Sequence, residues 1–434
     1  MHERGGRKAG DVRLHRRIGT GTIGAGQSCP SRFKEGCLQN DTLANNRDSW
    51  RVGILFSRSG VMRIPQSEHF FGTALAIEEV NSAGGILGRP VEPIAYDPGS
   101  NPVAYRELAE RLLIDDGVQI IFGCSTSAER KAVLPSIERW NGLLWYPSLY
   151  EGFEYSPNII YTGAVPNQNS IQLARYLARQ HGSRIFLIGS DYIYPRESNR
   201  VMKELVDAAQ GEIVGEEYFP LVLADRSFGE TLDRLCRIRP DAIFSTLVGE
   251  AGISFYRQYA ETKLFAAGIP IASLTMAEGE LAEIGGERAA GHITAAPYFS
   301  TVETPANRQF NQRFRAKFGE SRPISMYAEA AYCQVHLFAQ ALAACGTTNP
   351  QVLAREALGA EFHAPQGLVT IDPDNNHAYV TPRIGIAAAD CTFRIVHEEA
   401  EPVKPDPYLV SYDYDLDGFA PRGPGQAGAR ELPA

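Results

Sequence analysis

From Arg51 onward the chain alternates short apolar runs with longer stretches of helical period. "RVGILFS" (51–57) is a buried strand by this pattern, and "SEHFFGTALAIEEVNSAGG" (67–85) is an amphipathic helix ended by two glycines. Its apolar face is expected to be Phe70, Phe71, Ala74, Leu75 and Ile77. Strand 90–97, helix 103–117, strand 118–123, helix 128–140 and strand 142–147 continue the series. A second series begins with helix 169–182, strand "RIFLIG" (184–189), helix 196–211 and strand 212–219. Helix 226–238, strand 241–246, helix 250–262 and strand 269–273 complete it. Strands that alternate with helices of this length form parallel sheets covered on both faces, and two series predict two such lobes. The remainder differs: a long helix over 323–345 is followed by short strands at "GLVTID", "RIGIAAA" and "TFRIVH". No internal sequence repeat relates the two series.

Length agrees with this division, since 434 residues exceed what one core holds. The formal net charge is −9 and no basic face is concentrated outside "RKAGDVRLHRR" (7–17), which argues against direct nucleic-acid binding or an anionic membrane surface. Residues 1–49 are rich in Gly, Arg and Ser without periodicity and read as a disordered leader. Within it "GTGTIG" (19–24) matches the dinucleotide fingerprint in letters but lacks the flanking strand and helix. The leader has no apolar core of a signal peptide, and no later run is long enough to span a membrane, so the expected location is cytoplasmic, or periplasmic if the true start encodes an export signal. Seven scattered cysteines without a CxxC pair suggest free thiols rather than a disulfide framework or a zinc site. The last residues, 414–434, read as a flexible tail.

Ligands of open parallel sheets sit beyond the carboxyl ends of the strands. After the third strand comes "CSTSAER" (124–130), where Ser125 and Ser127 stand at a helix start, either as plain N-caps or as donors to a carbonyl. After the fourth comes "YPSLYEGFEYSPN" (146–158), with Tyr146, Ser148 and Tyr150, either a binding loop or an aromatic plug at the lobe's edge. In "SDYIYPR" (190–196) a strand period of two turns Tyr192 and Tyr194 to one side, with Pro195 opening the helix. Thr246 ends another strand and Glu250 follows it. Walker A, HExxH and GxSxG sequences are absent and the nine histidines are scattered, with His377 read as structural. Tyrosines, serines and backbone amides without a nucleophile–base pair describe a binding site that needs no cofactor or metal, not an enzyme.

Six segments carry a family likeness: "YEGFEYSPNIIYTGAVPNQNS" (150–170), "GSDYIYPRESN" (189–199), "IASLTMAEGEL" (271–281), "AAPYFSTVETPA" (295–306), "APQGLVTID" (364–372) and "PVKPDPY" (402–408). Together they resemble the AmiC-type amide-sensing negative regulators of aliphatic amidase expression. They are similar, less closely, to urea- and short-amide-binding proteins of ABC importers. The resemblance implies a type I periplasmic-binding-protein fold, an α/β architecture of two doubly wound parallel-sheet lobes with crossover hinge strands and a ligand cleft. It implies crossings near residues 163 and 297, giving one lobe from 50–162 plus 298–350 and another from 163–297 plus 351–413. It also implies a short amide or urea as ligand, in contact with Ser127, Tyr146, Ser148, Tyr150, Tyr192 and Tyr194; Ser125, Thr246 and Glu250 join the candidate site by their place at or after strand ends. The implied partner is an RNA-binding antiterminator of the ANTAR type, held in a hetero-complex or by a homo-oligomer until the amide binds. An importer component for urea, short amides or branched-chain amino acids is the alternative. Three positions depart from the sensors' pattern. Ser125 replaces an aromatic, Ser148-Leu149 replaces Thr-Pro, and Glu250 replaces a small neutral residue.

Overall fold

The computed structural model describes residues 49–221 and 227–411. The expected leader up to residue 48, its "GTGTIG", Cys29, Cys37 and the tail from 414 lie outside the described residues. The first series forms β1 (Trp50–Leu55), α1 (Arg63–Ser82), β2 (Val91–Tyr96), α2 (Pro102–Ile114), β3 (Ile120–Gly123), α3 (Ser127–Arg139), β4 (Leu143–Tyr146) and β5 (Ile159–Tyr161). Its sheet is parallel throughout, in the order β2-β1-β3-β4-β5. Leu143, Leu144, Ile120, Ile121 and Phe122 are wholly buried, as central strands covered on both faces require.

The chain then leaves this sheet through Gly163 and enters α4 (Ser170–Gln180), β6 (Arg184–Ser190), α5 (Ile193–Ala208), β7 (Glu212–Phe219), α6 (Gly229–Ile238) and β8 (Ala242–Thr246). The second series continues with α7 (Gly249–Tyr259), α8 (Lys263–Ala266), β9 (Ile271–Ser273), α9 (Glu278–Ile284), α10 (Gly286–Ala289) and β10 (Ile293–Ala296). A Cβ on Gly163 would lie 2.0 Å from the Ser148 carbonyl oxygen, so the crossover passes too close to the first lobe for any side chain.

Two helices return to the first lobe, α11 (Pro305–Phe318) and α12 (Met326–Cys345), and α13 (Pro350–Ala357) packs on α12 and β4. The segment expected to enter the second lobe at residue 351 therefore begins in a helix against the first sheet, with Gln351 hydrogen bonded to Asn141. A three-stranded antiparallel sheet follows, β11 (Glu361–Ala364), β12 (Gly367–Ile371) and β13 (Ala378–Tyr379). The chain ends in β14 (Arg383–Ala387) and β15 (Phe393–Glu398), which join the second sheet antiparallel, in the order β15-β14-β10-β9-β8-β6-β7.

Helix α1 differs from its expected face. Phe70, Phe71 and Ala74 are half-buried, whereas Gln66, Glu68, His69 and Thr73 are buried. The cause is α12, which lies so close that a Cβ on Gly72 would be 1.9 Å from the Ala328 carbonyl oxygen. On the same edge Gln66 and His69 turn into the first lobe, toward Glu129 and Phe56, and Glu68 approaches Gly279 of the other lobe.

Candidate functional site

The first-lobe wall is built where β3 gives way to α3. Cys124 takes a positive φ of 65° and turns the chain, and Thr126 and Glu129 then form a capping box. Glu129 accepts from the amides of both Ser125 and Thr126 at 2.9 Å, and Gln66 Nε2 donates to its other oxygen at 2.8 Å. Those two amides are committed to the cap, so the donors expected near Ser127 for a ligand carbonyl are fewer than the sequence suggests. Side chains take the place on the wall. Ser125 Oγ and Ser148 Oγ are 3.0 Å apart, and Ser148 Oγ is 3.5 Å from His69 Nε2. The His69 ring stacks on Phe56 and is wholly buried, which pushes its pKa down to about 3 and keeps it neutral. The Tyr146 hydroxyl donates to the Ser125 carbonyl at 2.6 Å and fixes the turn from behind.

Ser127 and Tyr150 are used differently. The Ser127 hydroxyl donates to the Glu151 carboxylate and accepts from Arg130 at 3.2 Å. Arg130, with no exposed surface, also reaches Glu151 at 3.3 Å and Glu154 at 2.5 Å. Its guanidinium lies over the rings of Tyr146 and Tyr150, and burial of its charge is outweighed by Tyr146, Glu151 and Glu154. The Tyr150 hydroxyl meets His377 Nε2 at 2.6 Å, and His377 lies flat on Tyr161 at 4.2 Å. Of the two readings of the 146–158 loop, Tyr150 fits the aromatic plug, and its hydroxyl is spent within the lobe.

On the second lobe the strand carrying "RIFLIG" ends at Ser190, and Asp191 donates its amide to the Phe219 carbonyl at 2.7 Å. Tyr192 is therefore the N-cap of α5 and Tyr194 lies in its first turn, not along a strand as the period of two suggests. Pro195 sits in that first turn too, where no amide is needed. The two rings still come together, with centroids 6.3 Å apart. Tyr194 packs with Met62 and Val248, joined by Val61, Leu149, Tyr192 and Leu221, so residues of both lobes share one apolar cluster. Burial, then Tyr194 and Tyr146, hold the Tyr192 hydroxyl well above the usual phenol pKa, which places this ring within the field of the first lobe. Thr246 is wholly buried, its hydroxyl directed to Asn199 Oδ1 at 3.0 Å inside the second lobe. Glu250 pairs with Arg63 across the interface at 3.4 Å.

Several cleft residues carry no motif. Tyr327 of α12 donates to the Thr275 carbonyl at 2.7 Å, joining the lobes. Met62, Val248, Thr275, Met276, Glu280 and Tyr327 line a small pocket between them, with room for no more than about one water molecule. The available signal for this edge of the site was the polar run Gln66, Glu68, His69 inside an otherwise apolar helix. Among the described residues no group of three or more His, Cys, Asp or Glu is placed to hold a metal ion, and no helix is long and apolar enough to cross a membrane. The five described cysteines are free.

A family model described as a periplasmic binding protein domain matches residues 50–413. A Leu/Ile/Val-binding protein homolog from Brucella melitensis is 26% identical over 339 residues, 76% of this chain and 85% of that protein. Among solved structures, a solute-binding protein of an ABC transporter from Rhodopseudomonas palustris, in complex with p-hydroxybenzoic acid, superposes with a TM-score of 0.76 at 22% identity, covering 84% of this chain and all of that one. A branched-chain amino acid transporter substrate-binding protein from Streptococcus pneumoniae, in complex with isoleucine, gives 0.71 at 20% identity, with 82% of this chain and all of that one covered. At these identities the structural likeness speaks for the fold: α/β lobes of largely parallel sheet.

Proposed function

This chain belongs to the periplasmic binding protein domain family, and we propose that it is a substrate-binding component that closes its two lobes on a small, uncharged, N–H-bearing molecule, a short amide or urea. The carrying observation is the polar but neutral wall of Ser125, Ser148 and His69 in the first lobe, with Tyr192 and Tyr194 as the jaw of the second. Hydroxyls and a neutral imidazole both donate and accept, which suits an amide's one carbonyl and two N–H groups. The Arg130 guanidinium, which could hold a carboxylate, is turned into its own knot with Glu151 and Glu154.

A ligand of about four heavy atoms is limited to roughly −6 kcal/mol, or tens of micromolar, and reaches that only when enclosed. Closure supplies the enclosure and changes the surface seen by a downstream partner, since the ligand meets both lobes only when they are together. Transport relatives favour handover to an importer. The six sensor-like segments favour a second reading, in which the closed form releases an RNA-binding antiterminator.

Calorimetry and thermal unfolding with acetamide, propionamide, urea, isoleucine and 4-hydroxybenzoate test the ligand class. At about a hundredfold excess over Kd the true ligand stabilises by about 2.7 kcal/mol. Stabilisation by the carboxylates alone overturns the amide reading. Fractionation of the native host, with the mature N-terminus sequenced, separates the two roles, because an exported or lipid-anchored form excludes the antiterminator partner.

A further inference from the structure

One carboxylate, Glu280, lines the pocket between the lobes, and a second, Glu68 of the other lobe, is buried behind it. Glu280, 4% exposed, lines it from the first turn of α9, where its carboxylate accepts from the Ala277 amide at 3.3 Å. Glu68 comes from α1 in the opposite lobe, is 5% exposed and accepts from the Ser325 hydroxyl. The two elements touch, since a Cβ on Gly279 would lie 2.1 Å from Glu68 Oε1. Glu278, buried beside them, takes the Ser300 amide at 2.8 Å on one oxygen, while Oε2 has no hydrogen-bond partner. The other titratable groups facing this cluster are Glu283 on α9, Tyr327 on α12, Tyr298 after β10 and Tyr256 on α7, with Arg322 at the exposed rim. No pocket-lining residue is cationic.

We propose that Glu280, backed by Glu68 across the lobe interface, is the charge-selecting residue of the cleft: it admits small neutral N–H donors, excludes carboxylates, and makes closure take up a proton from solvent. This deepens the amide reading and rests on it for the identity of the ligand. The physical reason is that closure brings Glu280 and Glu68 together from opposite lobes, out of water and without a buried cation to balance them. Burial first, then Glu278 and Glu283, pushes Glu280 up to about 8, and burial with Glu280 pushes Glu68 well up. In the open cleft the same groups face water and titrate near the ordinary carboxylate value. The closed form therefore binds the extra proton, and its advantage is complete below about pH 5, is lost as pH rises toward about 8, and is level beyond. A ligand carboxylate would add a further negative charge to the same enclosure.

Acetamide and acetate are near-isosteric and differ in charge, so they serve as probes. Their binding is measured by calorimetry between about pH 5 and pH 9, in two buffers of different ionisation enthalpy, for the native chain, Glu280→Gln and Glu68→Gln. The native chain takes up at least about one proton per acetamide between about pH 5.5 and pH 8, its affinity falls by about tenfold or more per pH unit over that range, and acetate binds at least about 100-fold more weakly. Each Gln variant flattens the slope, and Glu280→Gln narrows the acetamide–acetate gap to about tenfold or less. Absence of proton uptake in the native chain, or an unchanged slope and gap in both variants, overturns the proposal. If neither acetamide nor urea binds, the amide reading fails by itself. Small-angle scattering of the ligand-free chain over the same range then decides the charge mechanism: the native chain opens with rising pH while Glu68→Gln stays compact, and identical profiles refute it.

Discussion

The Tyr327 hydroxyl of the first lobe donates to the Thr275 carbonyl of the second, 2.7 Å away across the cleft. It is a bond that exists only while the lobes are together. Tyr327→Phe removes it without opening a cavity, so ligand affinity should fall by about fivefold, as for roughly 1 kcal/mol of a single hydrogen bond, with the unfolding temperature nearly unchanged. Calorimetry and a melting curve on the same sample check both halves.

Tyr192 and Tyr194 are proposed as the opposing jaw, and their rings lie 6.3 Å apart in a cluster shared by both lobes. Truncating either to Ala takes an aromatic face from the cleft and should weaken ligand binding at least about tenfold, roughly 1.4 kcal/mol, while circular dichroism stays native. Unchanged affinity in both variants would falsify the placement of the site at the mouth of β6.

Gly249 opens α7 at a φ of +60°, and a Cβ there would lie 2.3 Å from the Val61 carbonyl oxygen of the other lobe. Gly249→Ala should act as a wedge, leaving each lobe folded and lowering affinity by about tenfold or more through impaired closure. Scattering in saturating ligand should show a particle that stays expanded.

Arg130 is buried among Glu151, Glu154 and two tyrosine rings. Arg130→Ala strands buried carboxylates and should cost about 3 kcal/mol of stability or more, measured by urea unfolding. Loss of ligand binding in this variant should follow unfolding rather than precede it, because the guanidinium is engaged by Ser127, Glu151 and Glu154.

His69 and His292 are buried and held near a pKa of about 3, and His292 Nδ1 must be unprotonated to accept the Ile271 amide at 3.0 Å. The unfolded chain binds these protons below its ordinary value of about 6.5, so stability is intact above that pH and falls as pH drops toward 3. Each imidazole should account for about 2 kcal/mol lost by about pH 5. Unfolding midpoints of His292→Gln, compared with the native chain at pH 7 and pH 5, should show a smaller acid loss.

The two lobes were legible because apolar strand runs and helical periods alternate plainly, and "EIVGEEYF" forms β7 over its full length. Shorter pieces were not. Strand β5 and helices α9 and α11 carry weak patterns, and their positions depend on partners far away in sequence. Tyr192 and Tyr194 were legible as a pair but for a different reason, since a helix start rather than a strand juxtaposes them. Ser127 and Tyr150 follow their strands and Thr246 ends one, as expected, yet their hydroxyls are consumed by Glu151, His377 and Asn199. Which neighbour claims a hydroxyl is decided by three-dimensional packing, and strand-end position alone does not encode it. His69, Glu280 and Tyr327 escaped for the converse reason: each belongs to a helix that looks merely structural until the other lobe closes on it.

The closeness of α1 and α12 at Gly72 has a mechanical meaning. With backbone touching backbone, His69 and Met62 on one helix cannot shift without carrying Tyr327 on the other. The two helices thus make this edge of the first lobe a single stiff plate. A side chain inserted at Gly72 would meet the Ala328 carbonyl and tilt that plate, moving the proposed site from behind.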